Sequence, residues 1–388
     1  MPSAAEPAAP VDSTELDLFR ETVRRFFAAE AEPHYTRWEA DGIIPRDFYR
    51  RMGAAGLLCV DQPEEYSGGG APFEFAMVVL EEAGRMGYLA LASNLTVHSD
   101  IVAPYLLHLG SEEQKRRWLP QMAAGECIGA IAMTEPGAGS DLQGMRTMAI
   151  ADGDGYVVNG SKTFITNGQN ADIVVLATKT DPAAGAKGTT LFAVDTSLPG
   201  FKRGRNLEKI GLHAADTSEL FFDNLRVPVT AVLGRIGGGF GHLIDELPRE
   251  RLALAVTAVG HAAGALEKTI DYVTQRKAFG AAVANFQNTR FELARMKTDL
   301  EVHRAFAEKC TRLYADRRLD VPTAAMVKLA STEMEGRVTD ACLQLFGGYG
   351  YMTEYPISRY FADARIQRIY GGTSEIMKEV IARSLVGR

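Results

Sequence analysis

The sequence predicts an α+β protein in three parts: an N-terminal helical domain, a middle antiparallel β-barrel or sandwich domain, and a C-terminal four-helix bundle. Three observations carry this expectation. Apolar residues recur at helical spacing up to about residue 124, at a period of two from 127 to about 232, and again at helical spacing beyond Gly237-Gly238-Gly239. A chain of 388 residues is long enough for two or three domains with their own cores. The expected division is a disordered tail at 1–13, an all-α domain at 14–125, a β-domain at 126–235 and the bundle at 236–388.

Leu16, Phe19, Val23, Phe26 and Phe27 share one face of a first helix. Helical patterns follow at 48–58, 73–86 and 97–109, and a further helix starts at Ser111, an N-cap followed by Glu112 and Glu113 in the first turn. Short β-rich runs lie at 128–133, 156–158, 173–177, 190–194 and 220–222, with Asn159-Gly160 as a type I′ hairpin signal. The pairs Asp152-Gly153 and Asp154-Gly155 leave no room for crossover helices, which argues against a Rossmann sheet. Long helical patterns at 240–276, 287–315, 323–346 and 374–385 complete the bundle.

Hydrophobic residues at 46% and charged residues at 23% are ordinary globular usage, not disordered or fibrous. A net charge of −7 disfavours nucleic acid and anionic lipid as partners. Cys59, Cys127, Cys310 and Cys342 are far apart and form no zinc spacing, which points to a reducing compartment. The first residues lack the basic start and apolar block of a secretory signal and the last form no peroxisomal tripeptide, so a cytoplasmic location is expected. The longest apolar stretch, 252–266, falls short of the ~20 residues of a membrane span and reads as a core helix. His34, His98, His108, His213, His242, His261 and His303 form no ligand set and read as structural or solvated.

Several segments carry possible chemistry. In Ala132-Met133-Thr134-Glu135-Pro136-Gly137-Ala138-Gly139-Ser140-Asp141, glycines and hydroxyls suit phosphate oxygens or a heteroaromatic edge. The dinucleotide fingerprint fails at Leu142, and alone the segment reads equally as a glycine turn. In Lys162-Thr163-Phe164-Ile165-Thr166-Asn167-Gly168, alternation puts Phe164 and Thr166 on one face, able to stack on and hydrogen-bond a planar ring or simply to half-bury a strand. Arg276-Lys277-Ala278-Phe279-Gly280 and Phe286-Gln287 gather cations and an amide at a helix corner, suiting a diphosphate or a helix C-terminus. The glycine-bearing stretches 344–351 and 370–375 lie at helix boundaries, where glycine is also the usual stop.

Together these segments resemble the acyl-CoA dehydrogenase family from about residue 14 onward, and the stretches around Glu250, 132–146 and 370–379 are most similar to its long-chain branch. The resemblance implies the acyl-CoA dehydrogenase fold, FAD, an acyl-CoA thioester substrate, an electron-transferring flavoprotein as acceptor and a homotetramer. By the same resemblance Met133, Thr134, Ser140, Phe164 and Thr166 line the flavin and its diphosphate; Arg276, Phe279, Gln287, Gln344, Gly347 and Gly348 serve FAD across a subunit interface; Thr373 and Glu375 lie near its adenosine end. Ser140, Arg251, Tyr370 and Gly371 are expected on the substrate side, Arg251 as a structural contact and Tyr370 packing by the thioester.

One departure decides the catalytic residue. Many members carry a glutamate directly after the tyrosine of the late glycine motif, but Tyr370 is followed here by Gly371. A minority, including the long-chain and isovaleryl-CoA branches, carry the base on the first bundle helix before an arginine, and Glu250 in Glu246-Leu247-Pro248-Arg249-Glu250-Arg251 occupies that place. The resemblance thus implies Glu250 as the base for the α-proton, with a carboxyl pKa raised by desolvation, and the Gly371 N–H joining a flavin ribityl hydroxyl at the thioester oxygen. The missing side chain at 371 is expected to widen the pocket near the α-carbon. The implied product is a 2-enoyl-CoA. A carrier-protein thioester dehydrogenase, an oxidase of the same fold, and an inactive acyl-CoA-binding flavoprotein remain open alternatives at this point.

Overall fold

The computed structural model describes residues 11–387, so most of the expected tail lies outside the described residues. Helix α1 (Ser13–Glu30) starts where the Asp12 carboxylate accepts from the Thr14 N–H, and it buries Val23 and Phe27. After it come α2 (Tyr35–Asp41), α3 (Arg46–Ala54), α4 (Phe73–Arg85), α5 (Leu89–Leu95), α6 (Ala103–Leu109) and α7 (Glu112–Ala123). Ser111 caps α7 as the sequence predicts, in a reciprocal capping box with Gln114. Helices α5 and α6 are joined by a π-helical segment, Thr96–Val102. This insertion rotates everything beyond it, and π segments of this kind are frequent at functional sites.

The middle strands are β1 (Gly129–Ala132), β2 (Met148–Asp152), β3 (Gly155–Thr166), β4 (Ile173–Lys179), β5 (Thr189–Asp195), β6 (Phe201–Asn206), β7 (Thr217–Pro228) and β8 (Val232–Leu233). They form one sheet in the order β6-β7-β3-β2-β4-β5-β8, mostly antiparallel, while β1 lies parallel to β4 and β2 touches β4 in parallel at one residue pair. The expected hairpin at Asn159-Gly160 is not formed: β3 runs straight through it, and the β2–β3 turn sits at Gly153-Asp154 instead. Asn159-Gly160 is a bulge in the pairing with β7, and a Cβ at Gly160 would come 2.5 Å from Thr147 Oγ1. The glycine serves close approach within a strand, the other reason for one at such a place.

Helix α8 (Gly239–Gln275) leads into a small hairpin, β9 (Lys277–Ala278) and β10 (Ala281–Ala282), then α9 (Gln287–Ala315), α10 (Val321–Phe346), α11 (Pro356–Gln367) and α12 (Ser374–Val386). The four predicted bundle helices are present; α11 is additional, a short helix between two glycine turns. The seam between the first and last domains depends on small residues. A Cβ on Gly260 of α8 would lie 2.2 Å from the Glu81 carbonyl oxygen of α4, and one on Gly264 would lie 1.8 Å from that of Arg85. The two helices therefore cross at backbone contact, and α8 is held against the N-terminal helices along the stretch that carries Glu250. Among the described residues no helix is long and apolar enough to cross a membrane.

Candidate active site

Glu250 sits inside α8 between Arg249 and Arg251, and all three are only 4% exposed. Three consecutive buried ionic residues need partners, because an uncompensated buried charge is costly. Arg249 finds them: it donates to Asp61 at 2.6 and 2.9 Å and to Asp100, in the π segment, at 2.7 Å. That clamp fixes the turn of α8 beside Pro248, where the helix lacks one N–H donor.

Among the described residues Glu250 itself has no cationic hydrogen-bond partner. The hydroxyl of Tyr105, from α6, donates to its Oε1 at 3.0 Å. Burial pushes the Glu250 carboxyl up to about 7; the Tyr105 hydrogen bond pulls it down, Glu246 pushes it further up and Arg251 draws it down. A carboxylate titrating near neutrality is suited to proton abstraction. Arg251 also leaves Nε and Nη1 without partners, and burial lowers its pKa.

One turn after Glu250, Leu254 reaches the turn that follows α11. A Cβ at Gly371 would lie 2.4 Å from Leu254 Cδ1. Leu254 Cδ1 thus stands where a side chain at 371 would begin. Gly371 has φ +62°, a conformation that favours glycine, and its N–H donates to no backbone carbonyl among the described residues. Its neighbour Gly372 accepts from the buried Lys328 Nζ at 2.8 Å, which pins the turn. Tyr370 is half-buried, and burial raises its hydroxyl pKa, with Glu335 and Asp363 adding to the rise.

The residues expected around a flavin fall into two groups. Met133 and Thr134 follow β1, and Phe164 and Thr166 end β3. The Thr163 N–H donates to the Thr134 carbonyl at 2.9 Å, and the buried Lys162 Nζ binds both the Met133 carbonyl, at 2.9 Å, and Glu135, at 2.8 Å. Phe164 is 67% exposed at φ +60°. Ser140 is exposed on the adjoining loop. In the second group, Arg276, Gln344, Gly347 and Gly348 line one groove of about 570 Å³, with the Arg276 guanidinium over the Tyr349 ring. Gln287 is exposed at the start of α9. Phe279 is 99% exposed because Phe279-Gly280 forms the two-residue turn of the β9–β10 hairpin with positive φ at both residues. Thr373 caps α12, accepting from the Ile376 N–H, and Glu375 is exposed in its first turn. The 570 Å³ groove shares no lining residue with the Met133–Thr166 group.

These features suit a large planar cofactor with a diphosphate. Two bulky aromatics held at positive φ and turned out of the fold are backbone outliers that their own packing does not repay. A Cβ at Gly347 or Gly348 would meet nothing within 4 Å, so that surface is open for close approach.

Sequence reasoning missed Tyr105, His108 and Glu246. His108 Nδ1 and Glu246 Oε1 are 2.7 Å apart, one turn from the Tyr105–Glu250 contact. Both contacts join residues about 140 positions apart, with separations of 138 and 145. No local pattern announces them.

Comparison with known proteins agrees with this geometry. The family models for the acyl-CoA dehydrogenase N-terminal, middle and C-terminal domains match residues 13–126, 130–225 and 237–386. The chain is 48% identical over 376 residues to the long-chain specific acyl-CoA dehydrogenase, mitochondrial, of Sus scrofa, covering 96% of this chain and 87% of that one. Among solved structures, the acyl-CoA dehydrogenase from Geobacillus kaustophilus superposes with a TM-score of 0.94 at 46% identity, covering 98% of this chain and all of that one. A glutaryl-CoA dehydrogenase from Mycobacterium smegmatis, solved in complex with FADH2, gives a TM-score of 0.91 at 30% identity over 97% of this chain and 96% of that one. The chain belongs to the acyl-CoA dehydrogenase family: it is a flavoprotein oxidoreductase acting on CH–CH groups, with FAD as cofactor.

Proposed function

We propose that this enzyme converts a saturated acyl-CoA to the trans-2-enoyl-CoA, with Glu250 as the base, and passes the electrons to an electron-transferring flavoprotein. The observation that carries the base assignment is a buried carboxyl held by the Tyr105 hydroxyl, pushed up to about 7 by that burial, one helical turn from the side chain that packs on Gly371. Bound FAD would supply the hydride acceptor for the β-carbon. Met133, Thr134, Ser140, Phe164 and Thr166 would line the flavin and its diphosphate, and Arg276, Phe279, Gln287, Gln344, Gly347 and Gly348 of a neighbouring copy would serve FAD across the interface, with Thr373 and Glu375 toward the adenosine. That division between copies is supported by the separation of the two groups within one chain, and it implies an oligomer, which we take to be a homotetramer.

The chain's own residues do the proton chemistry. Glu250 takes the α-proton onto its carboxylate, and the Tyr105 hydroxyl fixes the carboxyl's orientation. The Gly371 N–H would donate to the thioester oxygen as negative charge gathers there, a contribution that needs no side chain. Tyr370 and Leu254 shape the wall beside the reacting carbons and exclude water. Similarity to a long-chain relative makes straight long-chain acyl-CoA the first substrate to test. A series of straight and branched saturated acyl-CoAs titrated anaerobically into the FAD enzyme tests the substrate class: flavin bleaching should be fastest with long straight chains, and bleaching by none of the series would overturn this reading.

A further inference from the structure

Helices α6 and α8 face each other through two polar contacts one turn apart. In the inner one, Tyr105 is fully buried and Glu250 is 4% exposed. In the outer one, the Glu246 side chain is 10% exposed and that of His108 is 46% exposed. Tyr105 and His108 are three residues apart on α6, and Glu246 and Glu250 four apart on α8, so each helix presents its pair on one face. The result is a short polar ladder from the buried Glu250 to the exposed His108.

A base beneath a bound thioester can lose its proton the way it came only after the ligand leaves; while the ligand covers it, the proton needs a path through the wall. We propose that Glu246 and His108 form the exit by which this proton reaches solvent while the acyl thioester covers Glu250, a role that rests on the reading of Glu250 as the base. The Glu250 carboxylate gains the α-proton and becomes the neutral acid. That proton passes one helical turn outward to the Glu246 carboxylate, whose charge is felt by both Glu250 and Tyr105. Glu246 then gives it to His108 Nδ1 as His108 releases the proton on Nε2 to water. One proton has moved from carbon to solvent, each carboxyl returns to its starting state, and His108, left with its proton on Nδ1, regains the Nε2–H tautomer by exchange with water at its exposed ring.

The charged and titratable groups around the path are consistent with this direction. Glu250 meets Tyr105 from α6, and Glu246 and Arg251 from α8; Tyr105 also feels Glu246 and Asp245. Arg249, three residues from Glu246 in sequence, is committed to Asp61 and Asp100 and so is not spent on holding Glu246 ionised.

The test uses the FAD-loaded enzyme in D2O with a β-thia acyl-CoA, a thioester with an acidic α-methylene and no β-hydrogen to transfer. Exchange of its α-hydrogens, followed by mass spectrometry, reads proton traffic without dehydrogenation. Exchange should slow by about tenfold or more in Glu246→Gln and in His108→Asn, within the range that positioned proton transfer contributes. Added imidazole should restore it in His108→Asn, a rescue that a structural role would not give. Exchange at the wild-type rate in both variants, or slow exchange in His108→Asn that imidazole does not restore, would overturn the exit path. Glu250→Gln separates the two readings: loss of exchange there supports the base, whereas retained exchange removes Glu250 itself from the chemistry.

Discussion

Burial sets the behaviour of Glu250. Because its carboxyl is pushed up to about 7, the rate of flavin reduction should rise with pH and level off above about 7, reporting the ionised base. The same shift has a sign for stability. Folding raises the group above its ordinary value of 4.5, so its favourable contribution is full below that value and is lost as pH rises through about 7. The melting temperature of Glu250→Gln relative to wild type should therefore increase between about pH 5 and about pH 8, with a stability difference on the order of 3 kcal/mol at the upper end. A difference independent of pH would contradict the raised carboxyl. Lys162 makes a second residue-scale prediction. Its ammonium is buried against Glu135 and the Met133 carbonyl, so Lys162→Met leaves a carboxylate without its partner and should cost about 3–5 kcal/mol, with weaker FAD retention. Thermal melting and flavin content check this together. At this scale the sequence disclosed some residues and hid others. Glu250 could be proposed from the sequence because Gly371 leaves the alternative position of the resemblance without a carboxyl. Tyr105, His108 and Glu246 could not, since an isolated tyrosine, histidine or glutamate on a helix is ambiguous until a distant helix is placed beside it.

Element boundaries followed periodicity where an element is long. Helix α9 begins and ends where the pattern predicts, and α8 and α10 differ by a residue or two. Short and irregular elements were less legible for physical reasons. The π segment between α5 and α6 does not alter composition, only phase, and Asn159-Gly160 has turn chemistry but is spent on a bulge. The close crossing of α4 and α8 gives the prediction for this scale. Gly260→Val would force the helices apart at the Glu81 carbonyl and should cost at least about 1–3 kcal/mol, the range for overpacking. Because α8 carries Glu250, the variant should also bleach more slowly with acyl-CoA even where it still holds FAD. Wild-type melting and bleaching would show that the crossing is looser than backbone contact.

For the whole molecule, the α-β-α order was readable because each part keeps one hydrophobic period over a long stretch, and the two switches of period are abrupt. The assembly was not readable from periodicity, and it entered only through resemblance. Because the groove shares no lining residue with the Met133–Thr166 group, the proposed assembly is testable. Phe279 is almost fully exposed and packs little within its own chain, so Phe279→Ala should leave the melting of the apoprotein nearly unchanged. FAD retention should nevertheless weaken by roughly three- to tenfold, as loss of an aromatic stacking contact predicts. Sedimentation should show an oligomer at all concentrations where FAD is retained. A monomer that holds FAD normally would contradict completion of the site by a second copy.

The central claim is that Glu250 removes the α-proton, and an anaerobic titration of wild-type and Glu250→Gln holoenzyme with the best saturated acyl-CoA tests it most directly. Wild type should lose its flavin absorbance on mixing, while Glu250→Gln should retain both FAD and colour, with reduction slowed by about a hundredfold or more. Equal bleaching of the two proteins would contradict the assignment and place the base elsewhere.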